Sequence, residues 1–447
     1  MSGKILLVYL ISLINSGTLG QAQQPAFTIP PLTLYAYQPR GFRAEMPDVD
    51  GIKLFAFHGR VNEPLPTAKD GDLSGDVNSP NNGKWVYENP DLTLAVGDKV
   101  YYWVYVQHNS LGYTKHDVVF EVTELVSKEC RPATTKATGI YTKICGGNII
   151  FSDEFDGVWV DTNNWIPQRY IPSYTDDDNY EFVSYQTDNT NLFTRESSLY
   201  LKPTVATSKA QVNGRLDLTQ GCTRSNRDSC VYNQVGAFIL PPVTSAKIIS
   251  KLSFKYGKIE IKAKLPIGDW IYPQIELIPV NKLPEYPKIL IAYSRGNLNL
   301  SLNSGEDLGS TLLFGGPVSE RAEPERSRNL KSRRLTVPFG REMRTYGLSW
   351  SPNRIDVSVD NAVYGTILAN EYTALNSEYR IALGVGVGGN HDFPDDTKSG
   401  NSWKPWKNLK NDLKTMNNFF ERRGSWENTW FGDDVALQID SVKVWAL

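Results

Sequence analysis

Residues 254–266 run Phe-Lys-Tyr-Gly-Lys-Ile-Glu-Ile-Lys-Ala-Lys-Leu-Pro, so that Ile259, Ile261, Ala263 and Leu265 alternate with Lys258, Glu260, Lys262 and Lys264. A two-residue period puts the two sets on opposite faces of a sheet and predicts a half-buried β-strand. Gly268-Asp269-Trp270-Ile271-Tyr272-Pro273 then punctuates a turn. The same texture recurs upstream in residues 51–59 and 99–106, which are rich in aromatic and β-branched side chains and separated by Gly, Pro and Asn. Residues 25–125 therefore read as a small β-sandwich. Patterning lapses over residues 126–145, around Arg131-Pro132-Ala133-Thr134-Thr135-Lys136, which read as a linker pinned by cysteines.

The remainder, 146–447, opens on the strand-like Ile149-Ile150-Phe151-Ser152-Asp153 and closes on Leu437-Gln438-Ile439-Asp440-Ser441-Val442-Lys443-Val444-Trp445, both expected in one sheet system. Short β runs between them predict a single large sandwich of the jelly-roll type. One helix is expected within residues 408–420, and the charged run 319–334 reads as a solvated loop. The fold class is all-β. Trp103 and Phe55, dense with apolar neighbours, are expected in the core.

The start of the chain changes the picture of where it works. Lys4 precedes the apolar run Ile5–Ile14, and small residues follow to Gly20, which makes residues 1–20 a secretory signal peptide. That run is too short to span a bilayer, and no later segment approaches the required length, so a secreted, extracellular protein without a transmembrane segment is expected. Four cysteines suit an oxidising compartment; their spacing suggests Cys130–Cys145 and Cys222–Cys230, although sequence does not dictate pairing. No CxxC pair or histidine cluster points to zinc, and no motif points to another metal or a cofactor. With 47 basic and 49 acidic side chains the net charge is -2, so no strong field invites nucleic acid or an anionic membrane. Asn299-Leu300-Ser301 is an N-glycosylation acceptor, placing Asn299 on a surface loop.

Residues 254–296 resemble the laminarinase-like branch of the β-glucanases, whose catalytic strand reads Glu-Ile-Asp-Ile-x-Glu. On that register the three acids fall on Lys288, Leu290 and Tyr293. Retaining glycoside hydrolysis needs a nucleophilic carboxylate and a second, acid/base carboxylate about 5–5.5 Å away. Leucine supplies neither, and a lysine with an ordinary pKa of about 10.4 would have to lose several units to exchange protons near neutrality. Tyr293 with a displaced acid such as Glu276 or Glu285 is a route by which a hydrolase could be restored. Where glucanase relatives carry two cleft aromatics, Tyr272 and Glu276 stand here, and Arg344 replaces a frequent His. Trp270, Tyr272, Trp403 and Trp406 are candidates for a residual groove, with burial in the sandwich the competing reading for the tryptophans.

Nearly the whole mature chain resembles the insect β-1,3-glucan recognition proteins, also called Gram-negative bacteria-binding proteins. The resemblance rests on Pro39-Arg40-Gly41-Phe42, Met46-Pro47-Asp48, residues 54–63, Gly83-Lys84-Trp85, Gly97-Asp98-Lys99-Val100-Tyr101-Tyr102-Trp103, Asp153-Glu154-Phe155, Leu265-Pro266-Ile267-Gly268-Asp269-Trp270, Thr345-Tyr346-Gly347-Leu348-Ser349-Trp350 and Lys404-Pro405-Trp406. It implies an N-terminal immunoglobulin-like carbohydrate-binding module and a C-terminal laminarinase-like jelly roll without catalysis. It also implies binding of β-1,3-glucan or other microbial polysaccharide, with lipopolysaccharide and peptidoglycan as candidates, and signalling in haemolymph to serine proteases of the Toll or prophenoloxidase cascades. By the same resemblance Asp48 and Trp85 match glucan contacts, Lys84 replaces an Arg, and Asp50 is a companion. Carboxylates accept hydrogen bonds from sugar hydroxyls and an indole covers a pyranose face. A core role for Trp85 and a turn-capping role for Asp48 are the alternatives. A glucanase with relocated groups and a signalling adaptor without sugar binding are the rival functions.

Overall fold

A computed structural model of the chain describes residues 27–66, 69–127, 132–140, 144–172, 181–280, 282–320, 324–372, 375–408 and 414–447. The expected signal peptide and Cys130 lie outside them, as does part of the expected helix. Contacts divide the chain into two units, residues 1–129 and 130–447.

The first unit is a two-sheet sandwich. Strands β1 (Thr33–Gln38), β2 (Phe42–Pro47), β3 (Ile52–Val61), β4 (Leu73–Val77), β5 (Lys84–Asn89), β6 (Lys99–His108), β7 (Leu111–Glu121) and β8 (Val126–Ser127) form one sheet in the order β5-β2-β1-β8 and another in the order β4-β3-β6-β7. Alternation does the sorting. Phe42, Ala44 and Met46 of β2 and Trp85 and Tyr87 of β5 pack into one core with Phe55 and Phe57 of β3 and Val100, Tyr102, Val104 and Val106 of β6. Two tight turns have a local cause: Asn82-Gly83 and Asn109-Ser110 take positive φ at both central positions, which matches the right-handed twist of the strands they join.

Phe55 is in the core as expected, but Trp103 is not. It belongs to the outward set of β6 with Tyr101 and Tyr105, half-buried, its ring parallel to His58 at 4.0 Å and its indole N–H donating to the Lys69 carbonyl at 2.8 Å. An unbroken apolar run hides the two-residue period that decides which side chains reach the interior.

Residues 126–145, expected as a linker, contribute strands to both units. β8 pairs in parallel with β1, whereas β9 (Lys136–Thr138) pairs with Ser253–Lys255 of the large unit. Thr134 N–H also donates to the carbonyl of Leu447. Cys145 is disulfide-bonded, and its expected partner Cys130 is outside the described residues.

The large unit packs two antiparallel sheets over one core. One sheet carries Gly257–Lys264 between Leu437–Trp445 and Arg344–Trp350, and Ile149–Asp153 pairs with Leu437–Trp445, so the two ends of the unit meet as their patterns predict. The other places Ile271–Pro279 between Tyr379–Val387 and Lys288–Tyr293, followed by Leu312–Val318 and Lys331–Arg334. The described part of the expected helix is the α-helix Thr415–Glu421, with Phe419 and Phe420 buried. The run expected as a solvated loop is more structured: Lys331–Arg334 is a strand and Arg326 is 5% exposed. Its guanidinium finds a buried carboxylate, Asp392 at 2.6 Å, and that offsets the desolvation that composition alone would forbid.

Cys222 and Cys230 are bonded. Closing so short a loop restricts the unfolded chain by about 2–3 kcal/mol. Replacing both with serine should lower unfolding free energy by that amount in denaturant titration; an unmoved midpoint would contradict it.

Candidate functional site

Two places answer to the chemistry anticipated from sequence: the cleft of the large unit and the tip of the first unit. In the cleft, Ile271–Pro279 is buried along its whole length because both faces are covered. Ile275, Leu277, Ile289 and Ile291 belong to the core, while Tyr272, Gln274, Glu276, Lys288, Leu290 and Tyr293 line the cleft. Positions 288 and 290 share a face by period two, and 293 would point away from it. A register shift between Leu290 and Tyr293 against the neighbouring strand restores Tyr293 to the cleft side. The structure thus gathers Lys288, Leu290 and Tyr293 on one surface.

That surface is filled by ion pairs. Lys288 Nζ lies 2.9 Å from a carboxylate oxygen of Glu276, which is 2% exposed. Burial alone would lower the Lys288 ammonium, but Glu276 and weaker neighbours reverse this and hold it well above its ordinary value, the wrong direction for a proton donor near neutrality. Glu285 is clamped by Arg224 at 2.6 Å and Lys247 at 3.0 Å. Burial opposes its charge, yet these two cations keep its carboxyl well below the usual carboxylate range. The Tyr293 phenol is pushed up by burial first and by the Asp392 carboxylate next, so its nucleophilic phenolate is disfavoured. Gln274 joins the lattice, donating to Glu181 at 2.6 Å and accepting from the Tyr185 hydroxyl at 3.2 Å. About 50 Å³ remains open between the described residues, space for a few waters.

The groove aromatics separate in the same way. Tyr272 lines the cleft. Trp270 and Trp406 do not: they are 1% and 2% exposed and meet edge to face at 5.2 Å within the core, with the Trp406 indole N–H donating to the Gly389 carbonyl. Trp403 is 56% exposed, lies beneath the Lys398 ammonium and is outside the cleft lining. Arg344 pairs with Asp360 at 2.6 Å. Each apolar ring was ambiguous in sequence because burial and stacking on sugar use the same residue.

At the tip of the first unit, Asp48 follows β2 and the Asn82-Gly83 turn precedes β5. The Asp48 backbone N–H donates to the Gly83 carbonyl at 3.0 Å, and its carboxylate accepts the Trp85 indole N–H at 2.6 Å. Trp85 is 1% exposed and offers no face to a pyranose, which corrects its reading as a stacking residue. Its ring fills the core because position 85 is inward in β5, and its one donor fixes Asp48 from below. Asp48 and Asp50 are exposed, and the Asp50 carboxylate has no partner among the described residues. Lys84 points to the opposite face of β5 from Trp85 and pairs with Glu45, which Arg43 also holds at 2.7 Å.

Sequence reading missed the rest of that outward face. Register places Tyr35 beside Arg43 and Arg43 beside Glu88, with Glu45 one pleat further along. Tyr35 and Tyr37 stack at 6.0 Å next to them. The signal was present in the outward alternation Thr33-Tyr35-Tyr37 and Arg43-Glu45, but only pairing brings the two strings together. The result is a row of half-buried rings beside carboxylates and guanidinium held in fixed positions, able to cover sugar C–H surface and to accept and donate to hydroxyls.

Residues 28–138 match the family model described as carbohydrate binding domain (family 32). The chain is 32% identical to β-1,3-glucan-binding protein 1 of Manduca sexta across 100% of both proteins. It is 33% identical to the β-1,3-glucan-binding protein of Tenebrio molitor over 99% of this chain and 100% of that one. Gram-negative bacteria-binding protein 1 of Drosophila melanogaster is 29% identical over 94% of this chain and 96% of its own. Among solved structures, the laminarinase from Rhodothermus marinus aligns with 67% of this chain and 98% of its own at a TM-score of 0.43 and 17% identity. The three relatives are named as binding proteins.

Two outcomes are expected from the site geometry. Lys288→Met leaves Glu276 buried and unpaired and should cost about 3–5 kcal/mol, while Lys288→Met with Glu276→Met should recover most of the loss in a double-mutant cycle. Trp85→Ala should cost about 3–5 kcal/mol by emptying the core of the first unit, measured by denaturant unfolding.

Proposed function

Because the chain belongs to the family of insect β-1,3-glucan-binding and Gram-negative bacteria-binding proteins, we propose that it is a receptor for β-1,3-glucan and related microbial surface polysaccharide, which it holds through its first unit without breaking a bond. The observation that carries the second half of this reading is the Lys288–Glu276 pair. Hydrolysis would need an ionised nucleophile and a proton-bearing partner facing a sugar. Here the floor carries Lys288, Leu290 and Tyr293, Glu276 and Glu285 are paired with cations, and Glu181 accepts the Gln274 amide, in a cleft with little free space between the described residues.

For the first half, Asp48, Asp50 and Lys84 are taken as contacts, with Trp85 acting through Asp48. The outward face that bears Lys84 extends this surface through Glu45, Arg43, Tyr35 and Tyr37. Fixed polar groups lose little freedom when a ligand docks, and a polymer of repeated hydroxyl rows meets many such receptors at once, so modest single contacts add by avidity. The leader pattern of residues 1–20 supports export to the extracellular fluid. Among the described residues no helix is long and apolar enough to cross a membrane. Handing the signal to serine proteases of an immune cascade belongs to the same reading and rests on the family.

The full-length protein should sediment with curdlan, an insoluble β-1,3-glucan, and release no reducing sugar from laminarin. Asp48→Ala with Lys84→Ala should weaken retention at least tenfold, the equivalent of one charged hydrogen bond of about 1.5–3 kcal/mol. Catalytic shortening of laminarin, or curdlan binding indifferent to both substitutions, would overturn the reading. Lipopolysaccharide and peptidoglycan run in parallel would rank the ligands.

A further inference from the structure

The large unit holds a second concavity, at the point where Gly268-Asp269-Trp270 enter the Ile271–Pro279 strand. It is an open recess of about 280 Å³, against about 50 Å³ in the cleft, and lies just below the ~300–1,000 Å³ of pockets for drug-sized ligands. Such a volume suits one small ring and not a chain of them.

Four stretches of sequence build it, residues 267–269, 298–299, 399–402 and 425–429. Asp269, 6% exposed, contributes a carboxylate that accepts the Ser399 hydroxyl at 2.7 Å. Its backbone is pinned on both sides: the N–H donates to Thr429 Oγ1 at 2.9 Å and the carbonyl accepts the Trp430 indole N–H at 2.8 Å. Asn299, Asn401, Ser402 and Asn428 complete the polar wall. Ser399 and Ser402 are cross-strand partners facing it, which is why Trp403, the next residue, points elsewhere.

The chemistry of the lining selects the ligand class. Among the described residues it contains no Lys, Arg or His, so a phosphate or sulfate finds no counter-charge there. One carboxylate among amides and hydroxyls brings a single negative charge to meet the two of a calcium ion. What remains satisfied by such a wall is an uncharged ligand rich in hydroxyls, with Leu298, 42% exposed at the rim, available to its C–H surface.

We propose that this recess is a saccharide site separate from both the cleft and the first unit, taking a single neutral pyranose whose hydroxyls donate to Asp269 and accept from the asparagine amides. Burial, opposed by the Ser399 hydroxyl and Asn297, raises the Asp269 carboxyl to about 6. A ligand that donates to the ionised form favours it, so affinity should fall as pH drops through about 6. The sugar has two sources with the same chemistry: the end of an external polysaccharide, or a glycan carried by Asn299, whose acceptor sequence forms part of the wall.

Saturation-transfer NMR with glucose and laminaribiose on the full chain tests this. Carrying Asp48→Ala and Lys84→Ala throughout weakens binding by the first unit, and only the Asp269 and Ser399 variants report on the recess, so failure here is distinct from failure of the receptor reading. Millimolar binding that drops at least fivefold in Asp269→Asn and in Ser399→Ala, with each variant still unfolding in one cooperative transition, supports the site. Ser301→Ala removes the glycan acceptor without altering the wall, to which Ser301 does not belong. Binding by glycosylated and Ser301→Ala protein alike assigns it to external sugar. Binding gained only on Ser301→Ala assigns it to the chain's own glycan. No binding to Ser301→Ala protein, or binding unaffected by Asp269→Asn and Ser399→Ala, overturns the proposal.

Discussion

A β-strand sends alternate side chains to opposite faces, and in Ile271–Pro279 and Lys288–Tyr293 both faces are buried. One face is apolar and completes the core. The other carries Gln274, Glu276 and Lys288, and polar groups taken out of water in this way must be paired or they cost several kcal/mol each. The lattice in the cleft is the consequence: Lys288 with Glu276, Arg224 and Lys247 with Glu285, Arg326 with Asp392. The same pairs account for the raised Lys288 and the lowered Glu285 proton affinities.

The same rule gives a different result in the first unit, where each sheet is buried on one side only. Trp85 and Tyr87 go inward and Lys84 and Glu88 outward along five residues of one strand. The inward tryptophan still matters at the surface, because its indole N–H orients the Asp48 carboxylate. Removing the ring would thus alter both the core and the tip, and loss of binding in such a variant is not by itself a measure of contact.

Much of the architecture was legible from pattern. The alternation in residues 257–264 appears as a strand with Ile259, Ile261 and Ala263 buried, and the first and last strands of the large unit pair as their composition suggests. Positions 288, 290 and 293 also share a surface, since period two plus one bulge is a local property. Trp103, Trp270 and Trp406 were not legible. An aromatic ring is equally at home in a core and against a sugar, and the choice depends on which strand covers it.

What the order of residues determined by itself is the all-β character, the two units, and the placing of Lys288, Leu290 and Tyr293 in one strand, because each follows from side-chain type and two-residue spacing within one segment. Only the tertiary structure decided that Glu276 meets Lys288, that Trp85 supports Asp48 from inside, and that Asp269, Asn299, Ser399 and Thr429 surround one recess. Those contacts join segments separated by between 12 and 160 residues, and only the pairing of distant strands brings such groups within hydrogen-bonding reach.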